Sequence, residues 1–283
     1  MEDISVQEHQ YISGMLNRTL LFYDDVSVEK IRNTTIAISG LGGVGAITAE
    51  LLARWGVKKF RLLDMDRYDL SNMNRQIFAT SKTLGKYKAD IAAERIREIN
   101  PYADIEEVIC ERVDNVNVHR FVKGAGMIIQ NADHPSCKLI YEAARQYHVP
   151  LVNGYASVTG GFIQSFDYRK SSCKSILNIW WDRLKYGRNH SLEHMDADTI
   201  ACFDKENVHS TAPSLNYVTN MVGCIIVSEA VKLLTGYGKA VKYPYYLAFD
   251  TADFRFRIKH IFSLLELENY KKILNLIKQR RPR

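Results

Sequence analysis

The chain has 283 residues, 46% hydrophobic and 25% charged, proportions that suit one large α/β domain or two small ones and exclude wholesale disorder. Its net charge of +6, from 38 Lys and Arg against 32 Asp and Glu, is too slight to draw a nucleic-acid footprint by itself. Five cysteines, at 110, 137, 173, 202 and 224, never form a C-x-x-C pair, which argues against a disulfide framework and against a four-thiolate zinc site. The N-terminus is acidic, with no apolar run behind it. The most apolar window, Met221–Val227, falls far below the roughly 18 residues that span a bilayer. A soluble, cytoplasmic protein with no membrane partner is expected.

In chain order, Tyr11, Met15, Leu16, Leu20 and Tyr23 form a helical pattern that ends near Asp24 and Asp25. A short apolar strand follows at Thr35–Ser39, then a glycine-rich turn, a helix from about Val44 to Trp55 with Gly56 as its C-cap, and a strand at Lys59–Asp64. Strand, turn, helix and strand in this order make a βαβ unit with a right-handed crossover. The alternation continues with a helix near 85–99, strands at Asp104–Ile109 and Met127–Gln130, a helix at 136–147 and a strand at Pro150–Val152. It predicts a doubly wound, Rossmann-like, mostly parallel sheet with helices on both faces. Beyond Gly161 the texture changes. Phe162–Phe166 alternates like a half-solvated strand, and 168–213 is polar and irregular. Asn216–Thr235 reads as one buried helix stopped by Gly236, and Tyr245–Asp250 and Phe254–Ile258 read as antiparallel strands. An amphipathic helix through Leu264, Tyr270 and Ile277 closes the chain.

Gly40-Leu-Gly42-Gly43-Val-Gly45 follows a strand and opens a helix. Glycines there allow the tight turn and let backbone N–H groups approach a phosphate at the positive end of the helix. Asp64, 19 residues after Gly45, ends the next strand, where a carboxylate accepts from ribose hydroxyls. NAD and ATP both fit that much. The next segments separate them: Asp66, then Ser71-Asn72-Met-Asn-Arg75-Gln76, then Lys88 13 residues beyond Arg75, then Asp133 at the end of a strand. Residues at the carboxyl ends of neighbouring parallel strands converge on one crevice, so two cations and a Mg²⁺-binding carboxylate would surround the same phosphates as the glycine turn. An NAD oxidoreductase explains the turn but not Arg75, Lys88 and Asp133 together. A silent nucleotide-binding scaffold should have lost at least one of them.

These motifs, with Leu62-Leu-Asp-Met-Asp66, Gly85-Lys-Tyr-Lys88, Val149-Pro-Leu-Val-Asn-Gly154 and Ser228-Glu-Ala-Val-Lys-Leu-Leu-Thr-Gly236, resemble the ThiF/MoeB/HesA superfamily, bacterial relatives of ubiquitin-activating enzymes, over about residues 10–256. The resemblance implies ATP-dependent adenylation of a carboxylate. It implies nucleotide contacts from Gly40, Gly42, Gly43, Gly45, Asp64, Asp66, Ser71, Asn72, Arg75, Gln76, Lys88, Asp133 and His134, with Asp133 on Mg²⁺. It also implies a homodimer in which an N-terminal arginine, here Arg18, reaches the partner's triphosphate. The expected organisation is an N-terminal helical arm over 1–30, an adenylation domain over 31–256 with a substrate-covering crossover segment at 168–213, and a C-terminal helical tail over 257–283.

The chain departs from the family in three places. The two zinc-binding C-x-x-C pairs of many relatives are missing. The stretch that carries the nucleophilic cysteine of sulfur-transferring relatives reads His209-Ser-Thr-Ala-Pro-Ser214, and the usual Asp-Asn is Asp133-His134. No zinc is therefore expected. Cys202 and the His190/His194 pair are read as ordinary loop residues rather than as nucleophile or metal site, while Trp180-Trp181 is open between packing under the loop and lining a peptide groove. The function that follows is adenylation of the C-terminal carboxylate of a peptide or a ubiquitin-like carrier, as in relatives that modify peptides. The alternative is a threonylcarbamoyl-adenosine dehydratase acting on tRNA, which suits the basic tail Lys278–Arg283.

Overall fold

The computed structural model describes residues 4–133, 136–170, 198 and 213–261. His134, the loop residues Cys173, Trp180, Trp181, His190, His194, Cys202 and His209, and the helix expected over 264–277 lie outside the described residues.

Two apolar segments set the centre of the sheet. In β1 (Thr35–Ser39) and β4 (Met127–Gln130) nearly every residue is buried, as it must be in parallel strands covered on both faces. They pair with each other, and β2 (Lys59–Leu63), β3 (Asp104–Ile109), β5 (Leu151–Ala156), β6 (Gly160–Phe166), β7 (Tyr245–Asp250) and β8 (Arg255–His260) complete the order β3-β2-β1-β4-β5-β6-β7-β8. Pairing is parallel from β3 to β5 and antiparallel from β5 to β8. The connection out of β1 turns towards β2, while β4 lies on the other side of β1. A crevice opens at that reversal.

The doubly wound expectation holds. One face is covered by α3 (Gly45–Arg54), α4 (Lys88–Ile99) and α7 (Asn216–Thr235), the other by α5 (Asn117–Val122) and α6 (Ser136–Gln146). The helix α7 has the bounds read from the sequence; it is long and apolar enough to cross a bilayer, which the seven-residue apolar window did not suggest, yet it packs on α3, β5 and β6 and over half of it is buried. It comes close to α3 at Gly223, where an added Cβ would meet Ile47 Cγ2 at 2.3 Å.

The N-terminal pattern divides where one helix was expected. α1 (Ile4–Leu16) ends, a single 3-10 turn spans Thr19–Leu21, and α2 (Asp25–Arg32) begins where the pattern stops. The Asp24 carboxylate accepts from the Ser27 N–H at 2.7 Å and caps α2, so a polar pair read as an ending is a beginning. Helix α5 was not foreseen, being only two turns. The strand β8 runs to His260, past residue 256.

Candidate active site

A cleft of about 510 Å³ opens where the carboxyl ends of β1, β2 and β4 meet the N-terminus of α3. The glycine turn forms its floor. Gly40 has a φ of +75°, and an added Cβ would lie 2.6 Å from the Asn131 carbonyl. At Gly45 the Cβ would fall 1.8 Å from the Gly40 oxygen. These two glycines are required by the turn itself. Gly42 is different: its Cβ would meet only the Gln76 amide, at 3.5 Å, so its bareness exposes backbone to the cleft rather than relieving the fold. No side chain caps α3; the Ala46 N–H donates to the Gly42 carbonyl at 3.0 Å, and Gly43, Val44 and Gly45 line the cavity at the positive end of the helix dipole.

Asp64 joins β2 to this floor. Its carboxylate accepts from the Leu41 N–H at 2.6 Å and the Asp66 N–H at 2.9 Å. Burial pushes its pKa above the ordinary carboxylate value, against the pull of Lys88 and the two N–H groups. The ammonium of Lys88 donates to Asp66 Oδ2 at 2.9 Å. Lys88 is the first residue of α4 and is buried, a cation at the positive end of a helix, where local electrostatics disfavour it. The segment between them enforces that position: Arg67 stacks over the Tyr87 ring at 3.6 Å and donates to the Gly85 carbonyl. A buried cation held against its helix dipole marks a site where a local rule yields to chemistry.

Arg75 lies on the opposite lip. Its guanidinium donates to the Ser71 carbonyl and to Asn74 Oδ1, each at 2.9 Å. The loop is anchored by an Asp69–Asn72 capping box and by the Asn74 amide on the Ser214 carbonyl at 3.1 Å. Gln76 is buried, and its Oε1 has no hydrogen-bond partner. Asp133 is exposed and lines the cleft; it lies three residues beyond β4 rather than ending the strand, as the sequence suggested.

A triphosphate nucleotide fits this donor set. The uncapped helix end and the two cations offer donors, while the unpartnered Gln76 Oε1 and the Asp64 carboxylate offer acceptors for hydroxyl or amino groups. Mg²⁺ is held mainly by substrate phosphates and one or two carboxylates rather than by an all-protein cage, and Asp133 supplies such a carboxylate. Among the described residues no cluster of three His, Cys, Asp or Glu side chains forms a separate metal site.

A family model described as the ThiF family matches residues 16–266. The chain belongs to the ThiF family. It aligns along most of its length with an adenylyltransferase, the molybdopterin-synthase adenylyltransferase of Salmonella typhimurium, at 27% identity over 79% of this chain and 82% of that one. It is 36% identical to the tRNA threonylcarbamoyladenosine dehydratase of Escherichia coli over 50% of this chain and 52% of that one. The chain therefore spans about half the length of that relative. Solved structures of E. coli MccB with ATP and with MccA-N7isoASN superpose with TM-scores of 0.69 and 0.70, at 17% and 16% identity. Each covers 88% of this chain, and 72% and 71% of the MccB chain respectively. That likeness shows the fold.

Most of the residues that carried the ThiF resemblance meet in the cleft: Gly40, Gly42, Gly43, Gly45, Asp64, Asp66, Asn72, Arg75, Gln76, Lys88 and Asp133. Ser71 does not line it. It acts through its carbonyl, which orients Arg75. Arg18 is exposed at the start of the 3-10 turn, away from this chain's own cleft. Sequence reasoning missed Glu111, Arg112 and Val113 after β3, Asn131 after β4, and Tyr155 on β5. The rule that strand carboxyl ends converge would have found the first four. Tyr155 carries no such signal, since it sits within a strand read as ending at Val152.

Proposed function

We propose that the chain is an ATP-dependent adenylyltransferase that activates the C-terminal carboxylate of a peptide or small ubiquitin-like carrier protein as an acyl-adenylate. The carboxylate oxygen bonds to the α-phosphorus of ATP, the bond to the β-phosphate oxygen breaks, and pyrophosphate leaves with the electron pair. The observation that carries this reading is the meeting of Lys88, Arg75 and Asp133 around an uncapped helix N-terminus. Fixed positive groups aimed at charge that develops on phosphate oxygens supply most of the acceleration in such transfers. Lys88 cannot swing away, because Asp66 and its own burial hold it. Arg75 can, because its present partners are a neighbouring carbonyl and amide.

Asp133 would hold Mg²⁺, which neutralises the phosphates when bound. Arg18 would complete the site of the partner subunit in a homodimer. The substrate class is supported by a relative named as an adenylyltransferase of a protein, molybdopterin synthase, and by the MccB structures that hold ATP and MccA-N7isoASN. The enzyme is proposed to work without zinc and without the family's nucleophilic cysteine, so the adenylate passes to an external nucleophile or rearranges in place.

Isotope exchange between ATP and pyrophosphate, with candidate carboxylates supplied, tests the activity. Arg75→Ala or Asp133→Ala should lower exchange about 10²–10³-fold, and retained exchange would remove that residue from its role. The second reading, a dehydratase of threonylcarbamoyl-adenosine in tRNA, is favoured by the 36% identity to the E. coli enzyme. Exchange that depends on modified tRNA and ignores peptide carboxylates would select it.

A further inference from the structure

We infer that Asn131 is a nucleotide-contacting residue of this cleft: its Nδ2 donates to a phosphate oxygen beside the N-terminus of α3, and its Oδ1 accepts from a sugar hydroxyl. The inference rests on the nucleotide reading above and adds to it a residue that no motif contains.

The main chain of Asn131 is fixed. Its N–H donates to the Ser39 carbonyl at 2.8 Å, one step beyond the last residue of β4. The bare Cα of Gly40 lies against its carbonyl. The side chain is thereby set against the first turn of α3, with Nδ2 3.4 Å from the place a Gly45 Cβ would occupy. Asn131 is half-buried and lines the cleft, but its two amide atoms are turned away from solvent and have no hydrogen-bond partner, so a ligand engages them only when the side chain rotates about its fixed main chain into the cleft.

A carboxamide can donate twice and accept twice, and buried ones are normally paired. The neighbouring Gln130 shows the ordinary outcome. Its Nε2 donates to the Ala132 carbonyl at 2.6 Å, and Tyr155 Oη donates to its Oε1 at 3.5 Å. Asn131 has a fixed main chain but a side chain that nothing pairs, and because it lines the cleft its partner is assigned to a bound ligand. A phosphate oxygen only accepts, which assigns it to Nδ2. The Oδ1 needs a donor; ATP offers the ribose hydroxyls and the adenine amino group, and since the ribose lies between the phosphates and the base, a hydroxyl is the donor assigned to a carboxamide whose Nδ2 is on a phosphate.

Calorimetric titration with Mg-ATP and with adenosine, on wild type, Asn131→Ala and the isosteric Asn131→Asp, tests this, together with melting of the nucleotide-free proteins. Asn131→Ala should weaken ATP about tenfold and Asn131→Asp about a hundredfold, because a carboxylate then faces the phosphate. Adenosine affinity of Asn131→Asp should stay within about threefold of wild type, since the acceptor is kept. The nucleotide-free Tm of Asn131→Ala should be no lower than that of wild type, since an unpaired buried amide is removed. Wild-type ATP affinity in both variants would overturn the inference alone. So would a lowered Tm with unchanged affinity, which makes Asn131 a packing residue. A wild-type protein that binds no ATP would overturn the nucleotide reading and this inference with it.

Discussion

The two ends of α3 are built to opposite rules. At the N-terminus no side chain caps the helix, the carboxamides of Gln76 and Asn131 carry unpaired buried atoms, and burial holds Asp64 above its ordinary pKa. Further along the same helix Glu50 is buried too, but saturated. Arg54 donates to its Oε1 at 2.9 and 2.6 Å, and Arg95 of α4 donates to its two oxygens at 2.8 and 3.2 Å. Burial opposes the Glu50 carboxylate, yet Arg95 and Arg54 pull its pKa below the ordinary value. One end leaves polar groups waiting for a ligand and the other leaves none. The ten residues of α3 thus run from a first turn beside unpaired groups of other elements to a satisfied carboxylate that keeps the helix in place.

The sharpest way to break this contrast is Gly45→Ala. Its Cβ would sit 1.8 Å from the Gly40 oxygen, so the turn must open. We expect about 3 kcal/mol or more of destabilisation and loss of ATP binding, read by denaturant melts and titration. Gly42→Ala belongs to the same motif but meets only the Gln76 amide at 3.5 Å. It should keep most of the stability while still weakening ATP, which would separate the glycine that shapes the turn from the one that bares it.

A smaller effect is expected at the saturated end, and its pH dependence has a sign. Because the folded-state pKa of Glu50 lies below its ordinary value of 4.5, its contribution is present above about pH 4.5 and is lost as pH falls through the lowered value. Glu50→Gln should therefore cost about 1–2 kcal/mol near neutrality and flatten the acid limb of a plot of Tm against pH. Asp64 works in the opposite sense. Its raised pKa makes its contribution greatest below 3.8 and lost as pH climbs towards the folded value. An acid limb unchanged by Glu50→Gln would mean that the clamp around it is not what holds α3 to α4.

The sequence made one of these two ends legible. The glycine turn, Asp64, Arg75 and Lys88 are short motifs whose spacing requires strand carboxyl ends to meet, and the parallel order of the sheet follows from apolar runs such as Ile36–Ile38 and Met127–Ile129. The saturated end left no such trace. Glu50 and Arg95 are 45 residues apart, and nothing in either segment says that α3 and α4 lie side by side. For Asn131 the strand-end rule gives the place but not the state: only three-dimensional closure reveals that its amide is turned from solvent and unpaired. Asp24 was misread because a helix cap and a helix stop draw on the same polar residues. Local rules identified what is consecutive, while long-range pairing and desolvation had to be observed.

The smallest expected effect lies within the saturated end and asks how much of its strength is held by each partner. Arg54 is four residues beyond Glu50 on the same helix, with 53% of its side chain exposed, whereas Arg95 comes from α4 with 38% exposed. An exposed pair of this spacing contributes only a few tenths of a kcal/mol, because water screens it and the side chain gives up rotamer freedom to form it. Removing Arg54 leaves Glu50 with both of its bonds to Arg95, so the carboxylate stays paired and the α3–α4 link survives. Arg54→Ala should then cost no more than about 0.5 kcal/mol and should leave ATP affinity untouched, because the change is remote from the turn. Arg95→Ala strips the contact between helices and should cost more. If the two variants were equal, the strength of this end would reside in the i,i+4 pair within α3 rather than in its attachment to α4, and the helix would depend on the sheet and α7 alone to hold its open end at the cleft.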